Sequence, residues 1–380
     1  MPYIVAAGMS RIAKRKETGA ELFLEAFREI KEMAEINEVD AVYVGVQSEN
    51  YEHQIMYGAL LAEYANLLPC EAYRVEACAA SGALALHNAY VAVKSGMYKR
   101  VLAVGVEKMS GKKTEEVIDL LMAASDYYLD QLNGVTIPAH YAMIATRYMH
   151  DYGATEEDLF LVAKKNHDNA MKNPKAYLRK SITYEEYVAS KPVAKPIKML
   201  DCSPICDGAA VALVVDDTVV SEYSSSQPVK ILASTVASDT LSISKRHDIT
   251  TATAVKLACE KAYRQAGLKP KNIHVAEVHD AFTINEIIIY EAMGYAEKGE
   301  GYKLLREEVT TLYGEKPVNP SGGLKARGHP IGATGLAQVY ELYMQLTGRA
   351  EQRQVDAETG IAINEGGVNS TAVVHILEAA

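Results

Sequence analysis

The sequence has little of what marks secreted and membrane proteins. It contains five cysteines in 380 residues, and this odd, scattered set argues against a disulfide framework and for a reducing cytoplasm. No apolar run is long enough to cross a bilayer. The N-terminus lacks the pattern of a signal peptide, and the C-terminal HILEAA carries no peroxisomal or retention signal. We therefore expect a cytoplasmic protein that has no membrane partner.

Excess positive charge is also missing. The formal net charge is −10, which makes nucleic acid an improbable partner. One segment departs from this balance, because nine lysines and arginines between Lys164 and Lys198 stand against three acids. Such a run is often only a solvated face, but it could also bind a small polyanion such as a phosphorylated cofactor. The sequence leaves both interpretations open.

What the sequence does contain is an alternation of Val- and Ala-rich runs with helical patterns, which indicates an α/β fold. Before the second strand, Phe23, Phe27 and Ile30 recur at helical spacing. The predicted strands are YIVAAG near the N-terminus, residues 41–46, 73–77, 100–107, 208–215, 230–238 and 275–280, and the final runs GIAINEGG and STAVVHILE. The other predicted helices are 141–153, 155–171 with the capping box Thr155 to Asp158, 250–268 ending at Gly267, 283–294 and about 332–347.

The second half of the chain repeats the order of the first: strand, turn of small residues, helix, strand. VEACAASG opens the central helix of the first half, and GHPIGATG opens its counterpart in the second. This is a repeat of a whole half-domain, not a solenoid period. We predict a first half over 1–240, with an inserted loop domain at about 108–200 that carries the basic segment, and a second half over 241–380.

Cys78 is the first candidate for chemistry, because it follows a strand and begins a helix of small residues. A cysteine in such a place is often only a small core residue. However, the free N–H groups and the dipole of a helix N-terminus favour a thiolate, and the same groups could stabilise the oxyanion of a thioester. The position predicts a nucleophile whose pKa lies below that of an ordinary thiol.

A nucleophilic thiol needs a base, and two of the ten histidines stand out by context. His329 lies in the GHPIGATG turn, and His279 closes the strand VAEVH, at the strand end where α/β proteins bind ligands. Each alone is more often a structural histidine, but with Cys78 they form a Cys/His constellation. Cys202 and Cys206 lack the further ligands of a zinc site, so no metal is expected.

Several segments together resemble the signature segments of the thiolases: VEACAASG, CSPICDGAA (202–210), NPSGG and GHPIGATG. HDAF (279–282) is similar to the HDCF segment of the sterol-carrier-protein-x type and of archaeal acetyl-CoA acetyltransferases. The resemblance follows the family's order from about residue 3 to 378. It implies a five-layered α-β-α-β-α fold of two similar halves with a loop domain that holds coenzyme A. It also implies that acetyl-CoA and coenzyme A are substrates, with no permanently bound cofactor.

The resemblance also implies roles for single residues. Cys78 matches the acylated nucleophile, and His329 matches the base that activates it. His279 takes the place of an asparagine that holds an oxyanion-hole water in many thiolases. Gly366 matches the glycine whose N–H joins that of Cys78 in the second oxyanion hole, and Ser203 matches a serine that contacts the pantetheine arm. The candidates for binding the coenzyme A phosphates are Arg179, Lys180, Lys191, Lys195 and Lys198.

The chain departs from the family at the second cysteine, which moves a proton at the substrate α-carbon. The two positions at which thiolases carry this thiol are Asn364 and Ala281 here. We expect the two histidines, with pKa values near the ordinary ~6.5, to carry out this proton transfer instead. The alternative is that the thiol has moved to Cys202 or Cys206.

Three functions compete on this basis. The first is an acetyl-CoA C-acetyltransferase that joins two acetyl-CoA molecules into acetoacetyl-CoA, or the reverse. The second is a degradative 3-ketoacyl-CoA thiolase for longer chains or sterol side chains, and the third is a thioester-binding scaffold with little activity. The retained cysteine and histidines argue against the scaffold.

The resemblance extends to partners. The HDAF form implies a place in the mevalonate pathway and a complex with hydroxymethylglutaryl-CoA synthase, bridged by a small protein with a zinc ribbon and an OB-fold. The family also implies a homodimer or homotetramer that pairs edge strands near the nucleophile. The run AVYVGV (41–46) would invite aggregation if it were left uncovered.

Overall fold

A computed structural model describes residues 1–223 and 227–380 as alternating strands and helices. The strands are β1 (Pro2–Met9), β2 (Ala41–Gly45), β3 (Glu71–Val75), β4 (Arg100–Glu107), β5 (Pro192–Ala194), β6 (Ile197–Lys198), β7 (Gly208–Asp216), β8 (Val229–Ser238), β9 (Val275–Glu277), β10 (Thr359–Gly366) and β11 (Thr371–Ala379). The helices are α1 (Gly19–Met33), α2 (Tyr57–Tyr64), α3 (Ser81–Lys94), α4 (Thr114–Met122), α5 (Ile137–Tyr152), α6 (Glu156–Met171), α7 (Tyr184–Ala189), α8 (Thr253–Ala266), α9 (Thr283–Ala292), α10 (Lys303–Arg306) and α11 (Thr334–Leu346).

The strand order confirms the internal repeat. One sheet runs β3-β2-β4-β7-β1-β8-β11-β10-β9, and β1 and β8 join its two halves at the centre. Counted outward from the centre, the strand order is β1-β7-β4-β2-β3 in the first half and β8-β11-β10-β9 in the second. In the second half, an isolated parallel bridge between Ala276 and Val318 follows at the position of the fifth strand. Thus β8 holds in the second half the place that β1 holds in the first. The boundary at residue 240 stays a prediction.

The helices form the layers that the resemblance implies. Helices α3 and α11 contact each other and strands of both halves of the sheet, so they make the middle layer. Helices α1 and α2 pack on the outer face of the first half, and α8, with α9 packed on it, covers the outer face of the second. Buried apolar side chains fill the space between each pair of layers. The arrangement is the five-layered α-β-α-β-α fold.

Local sequence signals explain where several helices begin and end. Phe23 and Phe27 lie on the buried face of α1 at the predicted spacing. The carboxylate of Asp158 accepts the N–H of Thr155 at 2.7 Å, as the predicted capping box requires. Helix α8 ends where Gly267 adopts a left-handed φ of 70°, a conformation that costs glycine little. These signals fix the buried face of α1, the start of α6 and the end of α8.

Two further features bear on the site. The segment between β4 and β7, where the insertion is predicted, holds α4 to α7 and the β5-β6 hairpin. Strand β2, the run flagged as an aggregation hazard, is buried between β3 and β4, so β3 is the edge strand on this side. Over residues 1–223 and 227–380, none of the helices combines the length and apolar character needed to span a membrane.

Candidate active site

The predicted catalytic residues meet at one cavity. Cys78, His279 and His329 line it together with Ser203, and the cavity has a volume of about 170 Å³ and opens to solvent. Most of the remaining wall is apolar and includes Ile118, Leu121, Met122, Ile137, Tyr141, Phe282 and Ile331. The fold therefore joins the nucleophile turn of the first half and the histidine segments of the second at one place.

The backbone at Cys78 has an unusual, left-handed conformation. Cys78 begins a single 3-10 turn ahead of α3 and has a φ of 51°. A left-handed conformation costs a residue with a Cβ about 1–3 kcal/mol, so the surroundings must hold it. The hydroxyl of Ser81 does this, because it donates to the Cys78 carbonyl at 2.6 Å and accepts the N–H of Ala77 at 2.9 Å. The sequence predicted the helix start but not this strain.

The expectation of a lowered thiol pKa at Cys78 is wrong. Burial raises the pKa of Cys78 to about 11, with smaller additions from the carboxylates of Glu76 and Glu107. The N–H groups of Ala79 and Gly367 donate to the sulfur and lower the pKa, but burial outweighs them. The nucleophile therefore rests as a thiol, and its activation requires a base.

His329 has the tautomer that this base requires. The hydroxyl of Thr334 donates to the carbonyl of Pro330 at 3.0 Å, so it must accept the hydrogen bond from His329 Nδ1, which lies 2.6 Å away. This fixes the proton on Nδ1 and leaves Nε2 as an acceptor. Burial and the guanidinium of Arg327 lower the pKa of His329 to about 3. The imidazole is neutral, not poised near 6.5 as the sequence suggested.

His279 holds the opposite tautomer. The backbone N–H of Glu365 donates to its Nδ1 at 3.3 Å, and the amide nitrogen of Asn364 lies 3.1 Å from the same atom. Nδ1 is thus an acceptor and the proton sits on Nε2. Burial, His329 and Arg327 lower the pKa of His279 well below 6.5. A neutral imidazole with a free N–H suits the stabilisation of an oxyanion.

The rings of the two histidines contact each other at the cavity wall. Their ring centroids are 5.2 Å apart and the rings are perpendicular. His329 presents a lone pair at Nε2, whereas His279 presents a proton at Nε2. One site therefore combines a proton acceptor, His329, with a hydrogen-bond donor for an oxyanion, His279. The hydrogen bond at Nδ1 of each ring determines which of the two roles its Nε2 has.

Small residues let the two helix starts touch. Helix α11 begins after a 3-10 turn, as α3 does. A Cβ on Gly335 would lie 2.3 Å from the backbone nitrogen of Ala83, and one on Gly82 would lie 2.5 Å from the carbonyl oxygen of Gly332. The buried carboxylate of Glu107 accepts the N–H of Gly332 at 2.8 Å. Glycine at these positions explains why the cysteine and histidine turns can share a cavity.

Some functional residues escaped the sequence reasoning. Gly367, not Gly366, donates its N–H to the sulfur of Cys78 and lines the cavity. Gly366 instead lets β10 approach the nucleophile turn, since a Cβ there would lie 2.1 Å from the Ala77 carbonyl oxygen. Its place in an oxyanion hole stays a prediction. The motif NEGG marked this region but could not separate two adjacent glycines.

The second missed residue is Asp280, which follows His279 in the HDAF segment. Its buried carboxylate accepts the N–H of Leu324 at 2.6 Å and the side-chain amide of Asn166 at 2.6 Å. These bonds tie the strand end that carries His279 to the segment that leads into His329. The neighbouring histidine was the only signal in the sequence that pointed to it.

The basic segment, residues 164–198, carries less unpaired positive charge in the structure than its sequence suggests. Five of its nine cationic groups pair with carboxylates, and three of these acids come from outside the segment: Lys175 with Glu29, Lys198 with Glu156, and Lys165 with Glu286. Within the segment, Lys164 pairs with Asp168 and Lys180 with Glu186. Counting charges along the chain could not detect the three distant partners.

The remaining phosphate candidates stay exposed. Among the described residues, no carboxylate lies within ion-pair distance of Arg179, Lys191 or Lys195. Lys195 lines a groove together with Arg147 and His150 of α5, whose side chains both contact the carboxylate of Asp151. Of the predicted set, Lys195 therefore combines a charge that is not paired with a carboxylate and a place in a groove.

Family models cover nearly all of the chain. The model described as the thiolase N-terminal domain matches residues 2–218, and the one described as thiolase C-terminal domain-like matches residues 235–379. An acetyl-CoA acetyltransferase of Methanothermobacter thermautotrophicus is 44% identical over 89% of this chain and 88% of its own length. Another, of Methanocaldococcus jannaschii, is 41% identical over 98% of both chains.

Solved structures share the fold at lower identity. The Ltp2-ChsH2(DUF35) aldolase superposes with a TM-score of 0.85 at 22% identity, over all of this chain and 97% of the other. Human mitochondrial 3-ketoacyl-CoA thiolase superposes with a TM-score of 0.76 at 18% identity, over all of this chain and 99% of the other. These likenesses concern the fold alone.

Proposed function

The chain belongs to the thiolase family, and we propose that it is an acetyl-CoA C-acetyltransferase that forms acetoacetyl-CoA and coenzyme A by way of an acetyl-Cys78 intermediate. The observation that carries this proposal is the pair of opposed tautomers beside the half-buried thiol of Cys78. The activity of the two acetyltransferase relatives supports the choice of acyl group. Coenzyme A and acetyl-CoA act as substrates.

In the first half-reaction, the Cys78 thiol gives its proton to Nε2 of His329 while the sulfur attacks the thioester carbonyl of acetyl-CoA. The carbonyl oxygen gains negative charge, which nearby N–H donors stabilise. The carbon–sulfur bond to coenzyme A then breaks, and the leaving thiolate takes the proton from His329. The product is acetyl-Cys78 with a neutral His329, ready for the second acetyl-CoA.

The test of this function is a comparison of acyl groups. We expect purified enzyme to interconvert acetyl-CoA and acetoacetyl-CoA, with condensation and thiolysis both followed by chromatography of the coenzyme A thioesters. The apolar wall formed by Leu121, Ile137 and Phe282 supports the degradative alternative. A panel of 3-ketoacyl-CoA thioesters decides between them, because kcat/KM that rises steadily with chain length would favour the longer-chain thiolase.

The proposal assigns the phosphates of coenzyme A to the groove at Lys195. We expect Lys195→Ala to raise KM for acetyl-CoA severalfold while kcat changes little, because the lost charge binds the nucleotide and not the reacting carbon. The effect should shrink in high salt and be absent with a pantetheine thioester.

The matched control for this prediction is Lys164→Ala. Lys164 belongs to the basic segment but pairs with Asp168, so its loss should leave KM near the wild-type value. Equal effects of Lys195→Ala on acetyl-CoA and the pantetheine thioester would show that the groove is only a solvated face.

The proposal includes a homodimer or homotetramer. Among the described strands, β3 has a partner on one side only, and its Tyr73 side chain is 41% exposed. An exposed edge strand is a template for pairing with another chain. We expect light scattering at micromolar concentrations to give at least twice the 41.4 kDa of one chain.

A charge on the edge strand tests where the subunits meet. We expect Tyr73→Lys to shift the mass toward one chain, whereas Val188→Lys, an exposed site on α7, should leave it unchanged. A wild-type protein that stays monomeric across this range would contradict the assembly.

We further propose a cytoplasmic place at the start of the mevalonate pathway. Condensing two thioesters is uphill, so direct transfer of acetoacetyl-CoA to hydroxymethylglutaryl-CoA synthase would draw the reaction forward. A small zinc-ribbon and OB-fold protein would bridge the two enzymes. The similar fold of the Ltp2-ChsH2(DUF35) aldolase, which includes a DUF35 protein, supports a partner of this kind. Co-purification of the chain with the synthase is the experiment that tests it.

A further inference from the structure

The two positions that carry the second thiol in other thiolases have different surroundings here. Ala281 lines the active-site cavity, whereas Asn364 is 1% exposed and is not among the described residues that line it. Asn364 lies near the end of β10, and its side chain contacts the ring of His279 at Nδ1. Asn364 therefore meets no substrate, and any part that it has in the reaction must act through His279.

The hydrogen bonds at His279 determine which atom of the Asn364 amide faces the ring. The backbone N–H of Glu365 donates to Nδ1 at 3.3 Å, so Nδ1 carries a lone pair. An amide oxygen in the facing position would meet this lone pair with one of its own. The amide nitrogen of Asn364 stands there instead, 3.1 Å from Nδ1, and donates a second hydrogen bond to it.

The amide is the nearer of the two donors. An N–H hydrogen bond is usually about 2.9–3.0 Å long, so the bond of 3.3 Å from Glu365 is a long one. A neutral imidazole has one proton, which takes the ring nitrogen that faces no donor. The two donors at Nδ1 together keep this proton on Nε2 and hold the ring in one orientation. Without the amide, only the long backbone bond would remain to do both.

The backbone around Asn364 is held without its side chain. Asn364 pairs with Val373 across β10 and β11. The side-chain amide of Asn285 in α9 donates to the carbonyl of His279 at 2.5 Å and to the carboxylate of Glu365 at 3.1 Å. None of these contacts uses the Asn364 side chain. A change of that side chain should therefore alter the ring of His279 without moving the segments that carry the two residues.

We propose that Asn364 is a positioning residue that keeps His279 in its Nε2–H tautomer and so prepares the oxyanion donor for condensation. The group that this donor serves is the oxygen of the bound thioester, which gains negative charge when the α-proton leaves. A ring with its proton on Nδ1 would present a lone pair to that oxygen and repel it. The position without the family's cysteine thus acts on the oxyanion and not on the α-proton.

A double-variant cycle tests whether Asn364 acts through His279. Asn364→Leu keeps a branched side chain of similar size and removes the donor. We expect it to slow condensation about tenfold, less than His279→Ala, because the N–H of Glu365 remains. Acetylation of Cys78 should stay within about twofold of wild type. In a protein that already carries His279→Ala, Asn364→Leu should have no further effect, because the ring on which it acts is gone.

These rates rest on the proposed function, so a second measurement addresses the tautomer without any activity. In nitrogen NMR of protein labelled at histidine, the His279 signals are those absent from His279→Ala. They should show a protonated Nε2 and an unprotonated Nδ1, and the Nδ1 shift should change in Asn364→Leu because one of its two donors is lost. Ile363→Val, a conservative change of the neighbouring buried residue in β10, should alter neither the shift nor the rates.

The two measurements separate the possible failures. A protonated Nδ1 in the wild-type protein would overturn the proposal. Equal losses from Asn364→Leu with and without the His279 side chain would also overturn it, because they would indicate a purely structural role. A wild-type enzyme that shows the expected tautomer and forms no acetoacetyl-CoA would instead refute the proposed function, while the hold of Asn364 on the ring would stand.

Discussion

Replacing His329 by asparagine should slow both half-reactions by about 10²- to 10⁴-fold, the usual contribution of a general acid–base group. Nε2 of this imidazole is the acceptor that receives the Cys78 proton, because the Thr334 hydroxyl holds the other ring nitrogen in its protonated form. The asparagine side chain can reach Thr334 but offers no base in place of Nε2. Rapid-quench measurement of Cys78 acetylation, followed by steady-state condensation, reports the two steps.

Two comparisons make the His329 result specific. His247→Asn changes an exposed histidine that does not line the cavity, and it should leave both rates unchanged. His279→Ala removes an oxyanion donor and should cost condensation about 10²- to 10³-fold while acetylation suffers less. Wild-type acetylation in His329→Asn would mean that another group activates the thiol.

Replacing Cys78 by alanine should have the largest effect of any single change. Without the sulfur there is no acyl acceptor, so both directions of the reaction should fall by ~10⁴-fold or more, as is usual when a nucleophile is removed. Binding of coenzyme A, measured by calorimetry, should survive, since the proposed phosphate groove at Lys195 lies elsewhere. Residual condensation near the wild-type rate would exclude a covalent route through this residue.

The same thiol also predicts a pH dependence. A pKa of about 11 means that the thiolate fraction of Cys78 rises with pH throughout the neutral and mildly alkaline range. Alkylation by iodoacetamide should therefore accelerate about tenfold per pH unit between pH ~7 and ~9, because the thiolate is the reactive form. A rate that is already constant from pH ~7 would indicate a stabilised thiolate instead.

The repeat, the strand sequence and the positions of the reactive residues could be predicted, because periodicity and turn chemistry are local. VEACAASG and GHPIGATG predicted the starts of the two central helices, and both helices begin where expected. Bounds were less predictable: the strand expected at 73–77 is β3 at Glu71–Val75. Its last predicted residues turn toward Cys78 instead of pairing, which tertiary contacts decide and a strand pattern does not.

Electrostatics was the part that the sequence could not supply. A helix start suggested a lowered pKa for Cys78, but the depth of burial reverses the sign. The tautomers of His279 and His329 depend on Glu365 and Thr334, which no spacing rule connects to them. Cys202 was considered as a metal ligand and as a displaced thiol, and only the paired segments at Phe282 place it at the cavity.

The most direct test of the account is the chemical identity of the acyl-enzyme. Enzyme mixed with isotopically labelled acetyl-CoA, quenched in acid and digested, should yield the mass of one acetyl group on the peptide that contains Cys78. Cys78→Ala should carry none, and Cys202→Ala should still carry it. Acetyl on another cysteine, or no acetyl under conditions where acetoacetyl-CoA is formed, would contradict a reaction that runs through Cys78.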